Sequence, residues 1–296
     1  MTSVRNRLMA GAICLLALTP AALADAPRFA AVDYPGAVRT FALGINPAGE
    51  IVGAYDDALG NEHGFLLRAG TFTSFDYPGA AWTDAYAITP QGDIVGQYGN
   101  GDKITRGFLL KDGYFYPIEV FGATDKGDAN SMPFGISPDG TIAGCYHQGA
   151  SNGSTISGTM YGFVLGEAGT TFDPLAGTMH TGINPSGDLT GYSANGSSYV
   201  ISASDGVRTW FTVPGAAATR ALGISATGAV VGWYKDQGAK FHGFLLRGGH
   251  ATSIDADFPD VRETRASGIN PAGDIVGYYV DGTGTHGFLL SRRGEK

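Results

Sequence analysis

Gly44-Ile45-Asn46-Pro47-Ala48-Gly49-Glu50-Ile51-Val52-Gly53-Ala54-Tyr55 occurs in six versions along this chain of 296 residues. The second is Ala87-Ile88-Thr89-Pro90-Gln91-Gly92-Asp93-Ile94-Val95-Gly96-Gln97-Tyr98, and four more begin at Gly135, Gly182, Gly223 and Gly268. The anchor isoleucines Ile45, Ile88, Ile136, Ile183, Ile224 and Ile269 stand 43, 48, 47, 41 and 45 residues apart. A fixed period of this length means one supersecondary unit per repeat, stacked on its neighbours to bury a core that no unit can bury alone.

Each unit reads as four short strands. Ala42-Leu43-Gly44-Ile45 is small and apolar, and Asn46-Pro47-Ala48-Gly49 reverses the chain. Proline fixes φ in that turn and glycine takes the positive φ that closes it. Glu50 to Tyr55 follows, rich in β-branched and aromatic residues that suit a pleated surface. His63-Gly64-Phe65-Leu66-Leu67-Arg68 is the third strand, and Ala69-Gly70 turns into Thr71 to Tyr77. Outside the leader no segment longer than a turn carries a 3.6-residue period. The expected fold is all-β: a six-bladed β-propeller of four-stranded blades. The termini add a closure. The sixth unit stops after its third strand at His286-Gly287-Phe288-Leu289-Leu290, and Phe29 to Ala37 matches the spacing of Phe72 to Ala80. An N-terminal strand completing the last blade would close the ring and remove an exposed edge. A β-solenoid or another barrel is the alternative, but an open solenoid has no need of that permutation.

Residues 1–24 have the parts of a secretory signal: Arg5 and Arg7, an apolar run from Leu8 to about Leu18, and Ala22-Leu23-Ala24 as a small-x-small cut. The run is shorter than the ~20 apolar residues of a spanning helix. The protein is therefore expected to be periplasmic or extracellular, with residues 25–296 as a single six-repeat domain and no membrane insertion after cleavage. Removing Arg5 and Arg7 with the leader takes the formal net charge from −8 to −10. So acidic a chain has no overall electrostatic grip on nucleic acid or anionic lipid. Only Cys145 remains beyond the leader, so no intramolecular disulfide can form.

The motifs Gly-Ile-Asn-Pro-x-Gly-Asp-Ile-Val-Gly-x-Tyr and His-Gly-Phe-Leu-Leu resemble the HAF family of extracellular repeats, whose core is His-Ala-Phe. Glycine stands for the alanine at Gly64, Gly243 and Gly287. The resemblance runs over nearly all of residues 25–296. It implies an exported bacterial, propeller-like protein, and it brings no catalytic residues.

Candidate chemistry is sparse. His63, His242 and His286 recur at one repeat position, replaced by Arg106, Tyr161 and Tyr199 in the other units. Equivalent positions on different blades stand far apart, so a structural hydrogen bond is expected of each and no metal is assigned. Cys145 falls mid-strand, where a buried inert thiol is the usual outcome. No nucleophile elbow and no phosphate loop occurs. The acidic, glycine-rich loops at Asp56-Asp57, Asn100-Gly101-Asp102, Asp236 and Asp281-Gly282 lack the alternating ligands of a calcium loop. No cofactor is expected.

Asymmetry within the repeat is more telling. Five residues before each isoleucine stand Thr40, Thr83, Ser131, Thr178, Thr219 and Thr264, a hydroxyl every time, which points to a ring of turn bonds. The next position varies: Phe41, Asp84, Met132, Met179, Arg220 and Arg265. His180 replaces an alanine or proline, and Trp82 precedes one threonine. The third unit is also longer on this face, from Phe121 to Ser131 with Asp125, Lys126 and Asp128, and from His147 to Thr159. Trp82, Asp84, His180, Arg220 and Arg265 are thus the expected ligand-binding residues at a channel mouth. The leading expectation is a monomeric binding or scaffolding propeller, not an enzyme, engaging a glycan or a protein through its loop face. The alternatives are a hydrolase or lyase acting on a sugar or lactone, with Asp84 and His180 as acid and base, and a purely structural envelope protein.

Overall fold

The computed structural model describes residues 27–102, 104–120, 130–148 and 159–291. The expected signal segment 1–24 lies outside the described residues, as do Asp125, Lys126, Asp128 and most of the loop between His147 and Thr159.

β1 (Arg28–Val32) is followed by β2 (Arg39–Ile45), β3 (Ile51–Asp56), β4 (Glu62–Arg68) and β5 (Thr71–Phe75). The second unit holds β6 (Trp82–Ile88), β7 (Ile94–Gly99), β8 (Arg106–Lys111) and β9 (Tyr114–Ile118). The third holds β10 (Asn130–Ile136), β11 (Ile142–Gln148), β12 (Thr159–Gly166) and β13 (Gly169–Phe172). The fourth holds β14 (Thr178–Ile183), β15 (Leu189–Ser193), β16 (Ser198–Ile201) and β17 (Arg208–Phe211). The fifth holds β18 (Ala218–Ile224), β19 (Val230–Lys235), β20 (Phe241–Arg247) and β21 (His250–Ile254). β22 (Glu263–Ile269), β23 (Ile275–Val280) and β24 (Thr285–Ser291) end the series.

Units two to five are four antiparallel four-stranded sheets, each in chain order, in a propeller arrangement. The other strands form one sheet in the order β22-β23-β24-β2-β3-β4-β5, with β1 also paired to β24. β24 and β2 share a single parallel bridge, Arg39 with Thr285, whereas β1 pairs with β24 from Arg28–Ser291 to Val32–Gly287. The described residues contain no helix, and so none that could cross a membrane.

One position organises every sheet. Phe65, Phe108, Phe163, Phe244 and Phe288, with Tyr199 in the fourth unit, are fully buried. Each stands opposite a second-strand glycine, such as Gly53 or Gly96. The first strand carries a bulge beside that glycine, between Ala42 and Gly44 in β2 and between Ala85 and Ala87 in β6. The bulge drives a carbonyl inward. A Cβ at Gly96 would lie 2.1 Å from the Asp84 carbonyl oxygen, so only glycine fits. Burying such a phenylalanine contributes roughly 1.5–3 kcal/mol relative to leaving it exposed.

The registers correct one alignment. Tyr199 faces Gly191, which makes it the counterpart of Phe65 and not of His63. The hairpin between β15 and β16 is tighter than its counterparts, so the histidine position falls on Ser197, whose carbonyl accepts from Ser193 N.

Candidate functional site

The hydroxyl at the start of each first strand pins the loop that enters it. Thr40, Thr83, Ser131, Thr219 and Thr264 accept hydrogen bonds from the backbone N–H of Tyr34, Tyr77, Val120, Val213 and Ala256. Thr178 Oγ1 donates to the Leu175 carbonyl at 2.7 Å. These bonds fix where the varied next position emerges.

At that level the fourth, fifth, sixth and first units form a continuous arc. The Arg220 guanidinium lies 4.6 Å from the centre of the Tyr192 ring and 5.0 Å from that of Trp233. Trp233 is 5.2 Å from the Arg265 guanidinium, which is 5.7 Å from the Tyr278 ring. Tyr278 meets Phe41 edge-on at 5.0 Å. Phe241 supports the arc from behind, 4.0 Å from Arg265 and 5.1 Å from Trp233. Each such cation–ring contact is worth ~0.5–1 kcal/mol where exposed and more where desolvated. Arg265 also donates to Tyr278 Oη at 3.2 Å and to Glu263 at 3.1 Å, while its buried Nε has no partner. Arg220 is exposed and makes no ion pair among the described residues.

Carboxylates stand on the other side of Phe41. Asp84 Oδ2 accepts from Tyr86 Oη at 3.3 Å, and the buried Oδ1 has no hydrogen-bond partner. Burial, and then the charge of Glu62, push the Asp84 carboxyl above its usual range. Burial and the Asp56 charge raise Glu62 as well. Asp56 itself pairs with Arg39. Tyr86 is within electrostatic reach of Asp84 and Glu62 on one side and of Tyr278, at the end of the arc, on the other. Beneath it a channel of about 80 Å³ is lined by Leu43, Tyr86, Phe134, Thr181, Leu222 and Ser267. Ligand sites usually enclose ~300–1,000 Å³, so the channel itself is too narrow to enclose one.

Of the residues expected at the mouth, Arg220 and Arg265 share the Trp233 ring. Asp84 stands on β6 of the second unit with Tyr86 and Glu62 beside it, and is not part of that cluster. Trp82 lies over Gly99, where a Cβ would come within 2.3 Å of the indole nitrogen. His180 is elsewhere. It is buried against Gly162 of β12, with Nδ1 2.8 Å from Tyr199 Oη and Nε2 3.6 Å from Asp173 Oδ2. It therefore does not converge with Asp84 as an acid–base pair. Glu62, Tyr86, Tyr192, Trp233 and Tyr278 were not singled out from the sequence. The last three occupy one repeat column, opposite Met179, Arg220 and Arg265, which elsewhere reads Ala54, Gln97 and Cys145. A column that varies so widely is the signal that could have found them.

The repeated histidines are clamps. His63, His242 and His286 approach Asp76, Asp255 and Asp33 through Nδ1 at 3.0, 2.7 and 3.2 Å. Each Nε2 faces a second aspartate of the adjoining hairpin loop, Asp57, Asp236 or Asp281. Among the described residues no group of three His, Cys, Asp or Glu side chains is arranged to hold a metal. Cys145 is fully buried, and burial pushes its thiol far above the usual range.

No family model and no curated protein matches this chain. Solved structures do resemble it. TolB from Acinetobacter baumannii superposes with a TM-score of 0.54 at 14% identity, over 83% of this chain and 64% of that one, so this chain spans less than two thirds of it. A gluconolactonase from Xanthomonas campestris gives 0.53 at 16% identity, over 90% of this chain and 95% of that one. AofleA from Arthrobotrys oligospora gives 0.53 at 14% identity, over 90% and 86%. Identities this low show the fold alone, and propellers host unrelated functions.

Proposed function

We infer that this chain is an exported, HAF-type, six-bladed propeller that binds a saccharide at its loop-face mouth, with acidic sugars favoured. The observation that carries this reading is the arc Tyr192–Arg220–Trp233–Arg265–Tyr278–Phe41. Aromatic faces suit the apolar faces of pyranose rings. Guanidinium forks suit hydroxyls and carboxylates in bidentate geometry, and Arg220 has its charge free for that use.

A closed ring of six blades is the frame this reading requires. Its support is the pairing of β1 with β24, the contact of β22 with β2 at the inner rim, and the clamp of Asp33 on His286. Turn asparagines add to it: Asn46 Nδ2 donates to the Thr89 carbonyl, Asn184 Nδ2 to that of Ser225, and Asn270 Nδ2 to that of Asn46, the last linking the sixth unit to the first.

A thermal-shift panel of galacturonate, glucuronate and neutral oligosaccharides tests the reading. A ligand at a hundred times its Kd adds ~2.7 kcal/mol, which raises Tm by several degrees. Acidic oligosaccharides should produce a saturable rise that Trp233→Ala abolishes. A panel with no shift favours a protein partner or a structural role.

One observation favours a second reading. Two raised carboxyls side by side, Asp84 and Glu62, are the arrangement in which one group donates a proton while the other accepts one. A hydrolase or lyase acting on the bound sugar would use that pair. Turnover of a panel ligand that Asp84→Asn abolishes without loss of binding would establish it.

A further inference from the structure

Three repeat positions that are apolar in the other five units turn polar together between the third and fourth units. Ala42, Ala85, Pro133, Ala221 and Ala266 correspond to His180. The buried phenylalanines correspond to Tyr199. Phe75, Ile118, Phe211, Ile254 and Val32 correspond to Asp173, whose N–H bonds the Gly162 carbonyl as its counterparts pair with theirs. All three polar residues are buried, and Arg208 of β17 pairs with Asp173 across the sheets. Asp173, His180 and Arg208 line a cavity of about 350 Å³ that opens to solvent, its other walls including Val164, Thr171, Phe172, Leu175, Leu189 and Ile201.

The hydrogen-bond accounting at the polar wall does not close. Tyr199 Oη has one proton to share between the Met179 carbonyl at 2.9 Å and His180 Nδ1 at 2.8 Å. Burial holds the ring neutral, so it carries a single N–H. In either tautomer Nε2 stands 3.6 Å from Asp173 Oδ2, beyond hydrogen-bond range. Next to this pair, Arg208 carries a buried Nε–H donor that has no partner. A buried polar group left unsatisfied costs ~1–3 kcal/mol. One hydroxyl would settle both ends, donating to the Nε2–Oδ2 pair and accepting from Arg208 Nε. The wall is also neutral overall, since Asp173 and Arg208 cancel.

We propose that this inter-sheet pocket binds a small uncharged alcohol or phenol, its hydroxyl between His180, Asp173 and Arg208 and its apolar body against Phe172, Leu189 and Ile201. A dry cavity of ~150 Å³ holds benzene, so this one holds a body of roughly a dozen heavy atoms. The site is separate from the channel mouth and does not depend on what binds there.

The test is a titration of the purified protein with 2-phenylethanol and with ethylbenzene, which lacks only the hydroxyl end. It is followed through the Trp210 indole resonance, since Trp210 packs on Tyr199 and the Arg208 guanidinium. The expected result is saturable binding of 2-phenylethanol at least about tenfold tighter than that of ethylbenzene, the size of one hydrogen bond to a charged group. The variant Asp173→Ile/His180→Ala/Tyr199→Phe restores residue types found in the other units and should lose most of the preference for 2-phenylethanol. No saturable change with 2-phenylethanol, or equal affinity for the two probes in the unaltered protein, overturns the proposal, whether or not the variant folds. A liganded crystal with only ordered water between Nε2 and Arg208 also overturns it.

Discussion

His180 enters the folded chain as a neutral imidazole. Burial lowers its pKa from 6.5 to about 4, with Asp173 opposing the shift and Arg208 adding to it. Between those values the unfolded chain binds a proton that the folded chain does not. The contribution of this group to stability is therefore complete above pH 6.5 and falls away as the pH drops towards about 4. The loss over that window is roughly 3 kcal/mol. Denaturant melts at pH 7 and pH 4.5, which cover most of that window, should show a drop that is smaller in His180→Ala by about 2 kcal/mol. Equal drops in the two proteins would mean that the imidazole is protonated in the folded state. The position also shows why a residue expected at the mouth is not there. Met179 and His180 are consecutive in a strand, and consecutive side chains leave opposite faces. The imidazole faces β12 of the third unit, where Gly162 leaves room for it.

Within each element the repeat specifies more than strand propensity alone. The pairing Gly96 with Phe108 requires the bare glycine, because the bulge in β6 brings the Asp84 carbonyl beneath it. Gly96→Ala should cost several kcal/mol, comparable with the ~3–5 kcal/mol of truncating a core phenylalanine to alanine. Gly101→Ala in the hairpin loop, where a Cβ meets nothing, carries only the cost of a positive φ and makes the control for a denaturant melt. A Gly96→Ala protein as stable as that control would refute the close approach. Strand order and turn chemistry were legible because every unit repeats them, and so was the hydroxyl ring. The partner column Tyr192, Trp233 and Tyr278 keeps one offset from the anchor isoleucines, so its variation was legible, but that it stands opposite Met179, Arg220 and Arg265 is a matter of strand register. The same gap misassigned Tyr199, where the fourth unit tightens a hairpin. The contact of Arg208 with Asp173 joins different sheets, and no local pattern announces it.

At the scale of the molecule, β1 and β24 tie the two ends of the described chain together. Phe29 and Phe288 meet edge-on at 5.3 Å within that seam, and Tyr34 stacks on Tyr55 of the next hairpin at 3.6 Å. Deleting residues 28–37 should therefore lower Tm by on the order of 10 °C, because it exposes the β24 edge and part of the core together. An unchanged melt would mean that the sheets hold without the seam. The mouth depends on the same frame, since its arc runs from the fourth unit through the sixth to Phe41 of the first. Titration calorimetry of the purified protein with tri-galacturonate, beside its Arg220→Ala variant, tests the binding account most directly. Saturable one-to-one binding is expected, weakened at least about tenfold in the variant as for a charge-assisted pair, with Tm lowered by no more than a few degrees for the lost ring contacts. No heat at millimolar ligand, or equal affinity in the two proteins, would contradict it.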